Sequence, residues 1–112
     1  MFLVDESPRT YAESVAFCEE QGMTIASIHS QEENDMVFAM LTTASYLGAT
    51  EVSNGVWSWD DGSEFSYVNP NNDGLSSDSG SHLAFATDGL WHDWGTGDSE
   101  IGVVCRGVNS GK

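Results

Sequence analysis

Two short stretches of the same grammar, Thr10-Tyr11-Ala12-Glu13 and Ser30-Gln31-Glu32-Glu33, constrain the fold of this chain more than any other feature. In each, a hydroxyl is placed to cap the backbone N–H three residues on, and the glutamate there can reach back, so each marks a helix start. Tyr11, Val15, Cys18 and Gly22 recur at helical spacing, which predicts a helix from about Thr10 to Gln21, stopped by Gly22 in a left-handed conformation. Residues 23–28, MTIASI, then alternate like a short strand. The second helix is expected from Ser30 to about Thr42, with Met36, Val37, Met40 and Leu41 as an apolar stripe whose methionines fill the core.

From Tyr46 onward the character changes to short β-prone runs. VWSW at 56–59 and FSYV at 65–68, joined by the turn signal DDGS, read as a hairpin. Residues 69–81 hold Asn, Asp, Gly, Ser, one Pro and one Leu, a composition that favours irregular backbone and predicts a long polar loop. HLAFA at 82–86 and IGVVC at 101–105 resume strand character on either side of DGLWHDW. A length of 112 residues fits one domain, residues 1–112.

The chain has 18 acids against three bases, a net charge of −15, and no Lys or Arg between Arg9 and Arg106. Such a field argues against nucleic acid as a partner. It is compatible with calcium binding, with a salty environment or with plain solubility. Four tryptophans and 39% hydrophobic residues supply the bulk that a disordered acidic chain lacks. No apolar run is long enough to cross a bilayer, and the start MFLVDESPRT lacks a basic n-region and a long apolar core. The expectation is a domain excised from a larger secreted or surface protein. Cys18 and Cys105 are either two buried free thiols or a bridge closing nearly the whole chain, the latter worth about 4–5 kcal/mol by chain entropy.

The layout, together with RTYAESVAFCEEQGMTIASIHSQEEN, YLGA at 46–49, GVWSWDDGSEFSY, DGLWHDW and VVCRG, resembles the C-type lectin-like domain over essentially the whole chain. The resemblance implies an α+β fold, two helices packed on small, mostly antiparallel sheets with a long polar loop at about 69–81. It also implies a Cys18–Cys105 disulfide and hence a secreted or cell-surface setting. The family's second bridge is missing, since its places fall at about His82 and at 95–97.

In sugar-binding members the long loop and a Trp-Asn-Asp segment build a calcium site that also grips sugar hydroxyls. By resemblance those places belong to Asn69 and Asn71, and to His92 and Asp93, with Asp78 or Asp73 able to supply a further carboxylate and the Asn69–Pro70 bond placed to be cis. Asn71 and Asp93 are retained. Asn69 keeps an amide oxygen but loses a carboxylate, and His92 offers nitrogen to an ion that takes about six to eight oxygens, which weakens the site. The implied cofactor is therefore calcium, held by Asn69, Asn71, Asp78, His92 and Asp93, and the implied partner is a glycan or a cell-surface glycoprotein.

Other candidates have structural readings. Glu51 resembles an auxiliary calcium ligand but reads as a solvated acid, and His29 reads as a satisfied, partly buried side chain. His82 could join His92 in a transition-metal site, a minor option because two imidazoles ten apart come with no third ligand. Trp57, Trp59 and Trp91 read as core, and Trp94 as an apolar pin in place of the lost bridge. No nucleophile with a base is legible, so the chain reads as a non-enzymatic recognition module. Calcium-dependent carbohydrate binding is the leading function, ahead of metal-independent protein–protein adhesion and ice binding.

Overall fold

A computed structural model describes residues 2–53, 56–67, 82–93 and 100–107, with positions 53 and 93 described by backbone alone. Both helix starts form where the capping residues stand. Helix α1, Tyr11–Glu20, has a full capping box: Thr10 accepts from the Glu13 N–H and the Glu13 side chain accepts from the Thr10 N–H. Gly22 follows it at φ 73, the left-handed conformation expected of its glycine. Helix α2, Gln31–Met40, is capped by Ser30, whose hydroxyl accepts from the Glu33 N–H. The Glu33 carboxylate does not close that box; it accepts from His29 N and from Arg106.

Among the described residues, seven strands join in one mixed sheet, in the expected α+β fold. They are β1 (Phe2–Arg9), β2 (Met23–Ile25), β3 (Ser45–Ser53), β4 (Val56–Trp59), β5 (His82–Phe85), β6 (Trp91–Asp93) and β7 (Ile101–Gly107). The main path runs β1-β7-β3-β5-β6, with β2 on β7 and β4 on β3. All pairings are antiparallel except β3 with β7, which run parallel.

Two expectations are corrected here. The hairpin does not join 56–59 to 65–68: β4 pairs back onto β3, with Glu51 opposite Trp57 and Ala49 opposite Trp59. Phe65 and Tyr67 are held by ring contacts with Trp59 and Trp91 instead of by a ladder. The methionines of α2 are not core filler, for Met36 is 49% and Met40 42% exposed while Val37 is fully buried. The buried stripe is set by Asn34, Val37 and partly buried Leu41, and the methionines fall outside it. The N-terminal strand β1 was not anticipated, because FLVDESPR has no clean alternation; its pairing with β7 supplies what the pattern lacks.

Consecutive residues on β3 and β7 enter different cores. Tyr46, Val103 and Cys105 pack with Tyr11, Cys18 and Ile25 beneath α1. Leu47 and Val104 pack with Ile28, Val37, Trp57, Trp59, Leu83, Phe85 and Trp91 beneath α2. A sheet buried on both faces loses the hydrophobic-polar alternation of a one-sided one. Gly48 makes one crossing possible: its N–H donates to Ala26 O at 2.7 Å, and a Cβ there would lie 2.7 Å from Ile25 O.

Candidate functional site

The site end of the sheet is built on the β5–β6 hairpin. Its turn is closed by Ala86 N–H to Leu90 O at 3.0 Å and by Leu90 N–H to Asp88 Oδ1 at 2.9 Å. Asp88 uses its second oxygen on His92, Oδ2 lying 3.0 Å from Nε2. The Leu90 N–H first, and His92 second, hold the Asp88 carboxyl below the usual range.

Trp91, between them, is core as expected, 1% exposed. Its indole N–H donates to Asn34 Oδ1 at 2.9 Å, and its ring meets Trp59 edge-on at 5.8 Å. Asn34 is itself buried. The Glu-Glu-Asn segment of α2 thus fixes the strand on which Asp93 stands, two residues beyond Trp91 and opposite Leu83. Asn69, Asn71, Asp73, Asp78 and Trp94, and the Asn69–Pro70 bond, lie outside the described residues.

Glu51 is the main correction at the site. It is not a solvated acid but 1% exposed, on the face of β3 that also carries Leu47 and Ala49. Thr50 faces His82 and Leu83 faces Asp93, so Glu51 and Asp93 stand two strands apart at the same end of the sheet. The burial was illegible because Glu51 sits in a run, ATEVS, with nothing to mark which alternate positions face the core.

The other histidines are placed by their neighbours. His29 is partly buried and satisfied as expected, with Nε2 2.9 Å from Ser27 Oγ, which in turn donates to Asp61 Oδ2 at 2.5 Å. His82 lies stacked on Tyr11, ring centroids 3.6 Å apart, with Nδ1 3.2 Å from Thr50 Oγ1 and 3.3 Å from Ala49 O. Among the described residues no group of three or more His, Cys, Asp or Glu side chains is arranged to hold a metal ion. Sequence reasoning missed the polar cluster around His82, whose members Tyr11, Thr50, Asp60 and His82 come from four distant segments with no shared motif.

A disulfide joins Cys18 to Cys105, both fully buried, across 87 residues of chain. Among the described residues, two short helices on a mixed sheet, closed by a terminal bridge and with a Trp-anchored strand at the sheet edge, define a lectin-type domain. The sequence profile of the Lectin C-type domain matches residues 7–106, and the chain belongs to that family.

A 60-residue stretch is 33% identical to mouse (Mus musculus) NKG2-D type II integral membrane protein, covering 53% of this chain and 25% of that protein. This chain thus spans about a quarter of that relative's length. The solved carbohydrate-recognition domain of cow CD23, studied with a GlcNAc2Man3 oligosaccharide, superposes with TM-score 0.77 at 24% identity, over 96% of this chain and 88% of that one. A calcium-independent type II antifreeze protein does so with TM-score 0.76 at 26% identity, over 93% and 82%. No described helix is long and apolar enough to cross a membrane.

Proposed function

We propose that this domain is a non-enzymatic recognition module that binds carbohydrate with the help of calcium, in a secreted or cell-surface protein. Asn69, Asn71, Asp78 and Asp93 supply the oxygens, His92 flanks them, and Glu51 stands as an auxiliary ligand. The observation that carries this reading is the burial of Glu51 at the sheet end it shares with Asp93. A hard divalent cation is what carboxylate and amide oxygens fit, and Glu51 and Asp93 bring two carboxylate residues to the same end of the sheet. Bound calcium would present open coordination positions to vicinal sugar hydroxyls. Around it, Asn34 and Trp91 hold β6 in place, and Asn71 can offer oxygen to the ion and N–H to a sugar oxygen.

Calorimetry with calcium chloride and a glycan array with and without chelator test this. Asp93→Asn keeps the shape and removes the charge, so calcium affinity falls about tenfold or more while the fold persists. Asn71→Ala weakens glycan binding, and His92→Asn, which restores an oxygen ligand, strengthens both. A wild type with no calcium heat, or binding unchanged in chelator and in Asp93→Asn, overturns the reading in favour of metal-independent adhesion. Likeness to a calcium-independent antifreeze protein and the capture of His92 by Asp88 favour that alternative.

A further inference from the structure

Asp60 follows β4 directly, in a turn where its carboxylate meets two hydroxyls. Tyr11 donates to Oδ2 from the first turn of α1, and Thr50 Oγ1 donates to Oδ1 from β3 at 2.9 Å. Thr50 Oγ1 also touches His82 Nδ1, and the His82 ring lies flat on Tyr11. Since Ala49 O can only accept, Nδ1 facing it carries the hydrogen, and the Thr50 hydrogen goes to Asp60. The donor direction is thereby fixed from His82 through Thr50 to Asp60. The groups facing Asp60 are Asp61 beside it, Tyr11 and Glu19 from α1, Thr50 from β3 and Thr24 from β2, the acids sharing a cavity of about 110 Å³ with Val15 and Ile25. Around His82 they are Tyr11, Thr50 and the Ala49 carbonyl.

We propose that Asp60, Thr50, Tyr11 and His82 form an acid-responsive switch, in which proton uptake relaxes the β4 turn and at the same time loosens the start of β5. The two ends of the chain of hydrogen bonds respond to acid with opposite sign. The Asp60 residue is exposed at its edge, but burial of its carboxylate against α1, followed by the Asp61 charge, pushes it up to about 6. Tyr11 and Thr50 as donors pull the other way. A raised carboxyl means the folded state binds the proton more tightly, so its contribution to stability is full below 3.8 and is lost as pH rises through about 6. Burial pushes His82 below 6.5, against the smaller pull of the Ala49 carbonyl. Its contribution is present above 6.5 and is lost as pH falls through the lowered folded value.

Between neutral pH and pH 5, strain therefore moves from the Asp60 turn to His82. His82 begins the strand that pairs with β6, which carries His92 and Asp93. Acid would weaken ligand binding by this route, a consequence that rests on the recognition reading; the switch itself does not.

Hydrogen exchange and thermal melts at pH 7.5 and 5.0, with no ligand present, separate the two. On acidification the wild type should gain protection at residues 59–62 and lose it at 82–84, with a midpoint near pH 6 and little net change in Tm. Asp60→Asn removes the compensating gain, so its Tm relative to wild type falls by several degrees between pH 7.5 and 5.0. His82→Gln removes the penalty, so its relative Tm rises over the same interval. Tyr11→Phe, which keeps the ring on His82 but loses the donor, moves the midpoint upward. Parallel Tm profiles for wild type, Asp60→Asn and His82→Gln, or exchange at 82–84 unaffected by pH, overturn the switch. If the switch holds but chelator and Asp93→Asn leave binding untouched, only the calcium reading fails.

Discussion

The two ends of the sheet spend charge in opposite ways. At the β1-β2-β7 end the arginines are committed to scaffold. Arg106 makes a two-pronged contact with Glu33, both at 2.9 Å, while also donating to Ser27 O. Arg9 pairs with Asp5 and lies 3.9 Å over the Phe17 ring. The Cys18–Cys105 bridge ties the same end covalently. At the β3-β4-β5-β6 end stand Glu51, Asp60, Asp61, Asp88 and Asp93 with His82 and His92, in a stretch of sequence that holds no Lys or Arg. One end is held by bonds that need nothing from solution. The other concentrates negative charge, which a cation or a proton relieves.

If this division is right, substitutions at the scaffold end cost stability and leave calcium affinity alone, and those at the site end do the reverse. Reduction of Cys18–Cys105 should have the largest effect, about 4–5 kcal/mol in denaturant titrations with and without reductant, because the closed loop spans most of the chain. Gly48→Ala should cost about 2–3 kcal/mol, since its Cβ would meet the Ile25 backbone, which cannot swing aside.

Arg106→Gln should cost about 2 kcal/mol by removing both guanidinium hydrogen bonds from the half-buried Glu33 carboxylate, which keeps only the His29 N–H. The same contact predicts a pH dependence. The Arg106 hydrogen bond holds the Glu33 carboxyl below its ordinary 4.5, so this stabilisation is present above 4.5 and is lost as pH falls through the folded value. Acid melts of wild type and Arg106→Gln should converge there. Asn34→Ala, which removes the Asn34 acceptor of the Trp91 indole N–H, should cost about 1–2 kcal/mol and is the one scaffold change expected to lower calcium affinity as well. Asp88→Asn should be the smallest, with no measurable shift in Tm but a changed His92 imidazole signal by NMR. A scaffold substitution other than Asn34→Ala that abolishes calcium binding in folded protein would break the comparison.

Local signals read well where the physics is local. The caps at Thr10 and Ser30, the left-handed glycine at 22 and the inward tryptophans 57, 59 and 91 each depend on a few neighbouring residues, and each stands where the sequence placed it. The family resemblance supplied the disulfide partner, which spacing alone left open. FSYV misled because β-prone residues also suit ring packing, and Phe65 and Tyr67 are held by tryptophans. Met36 and Met40 misled because a stripe of helical period leaves its flanks undetermined by a third of a turn.

The sequence by itself determined the helices, their ends, the acidic field and the absence of basic residues from the middle of the chain, since composition and nearest neighbours suffice for these. Only the tertiary structure decided that β1 closes the sheet against β7, that Glu51 is buried, and that Tyr11, Thr50, Asp60 and His82 meet. Those outcomes depend on strand register between segments tens of residues apart. A shift of one residue in that register would turn each of these side chains to the opposite face.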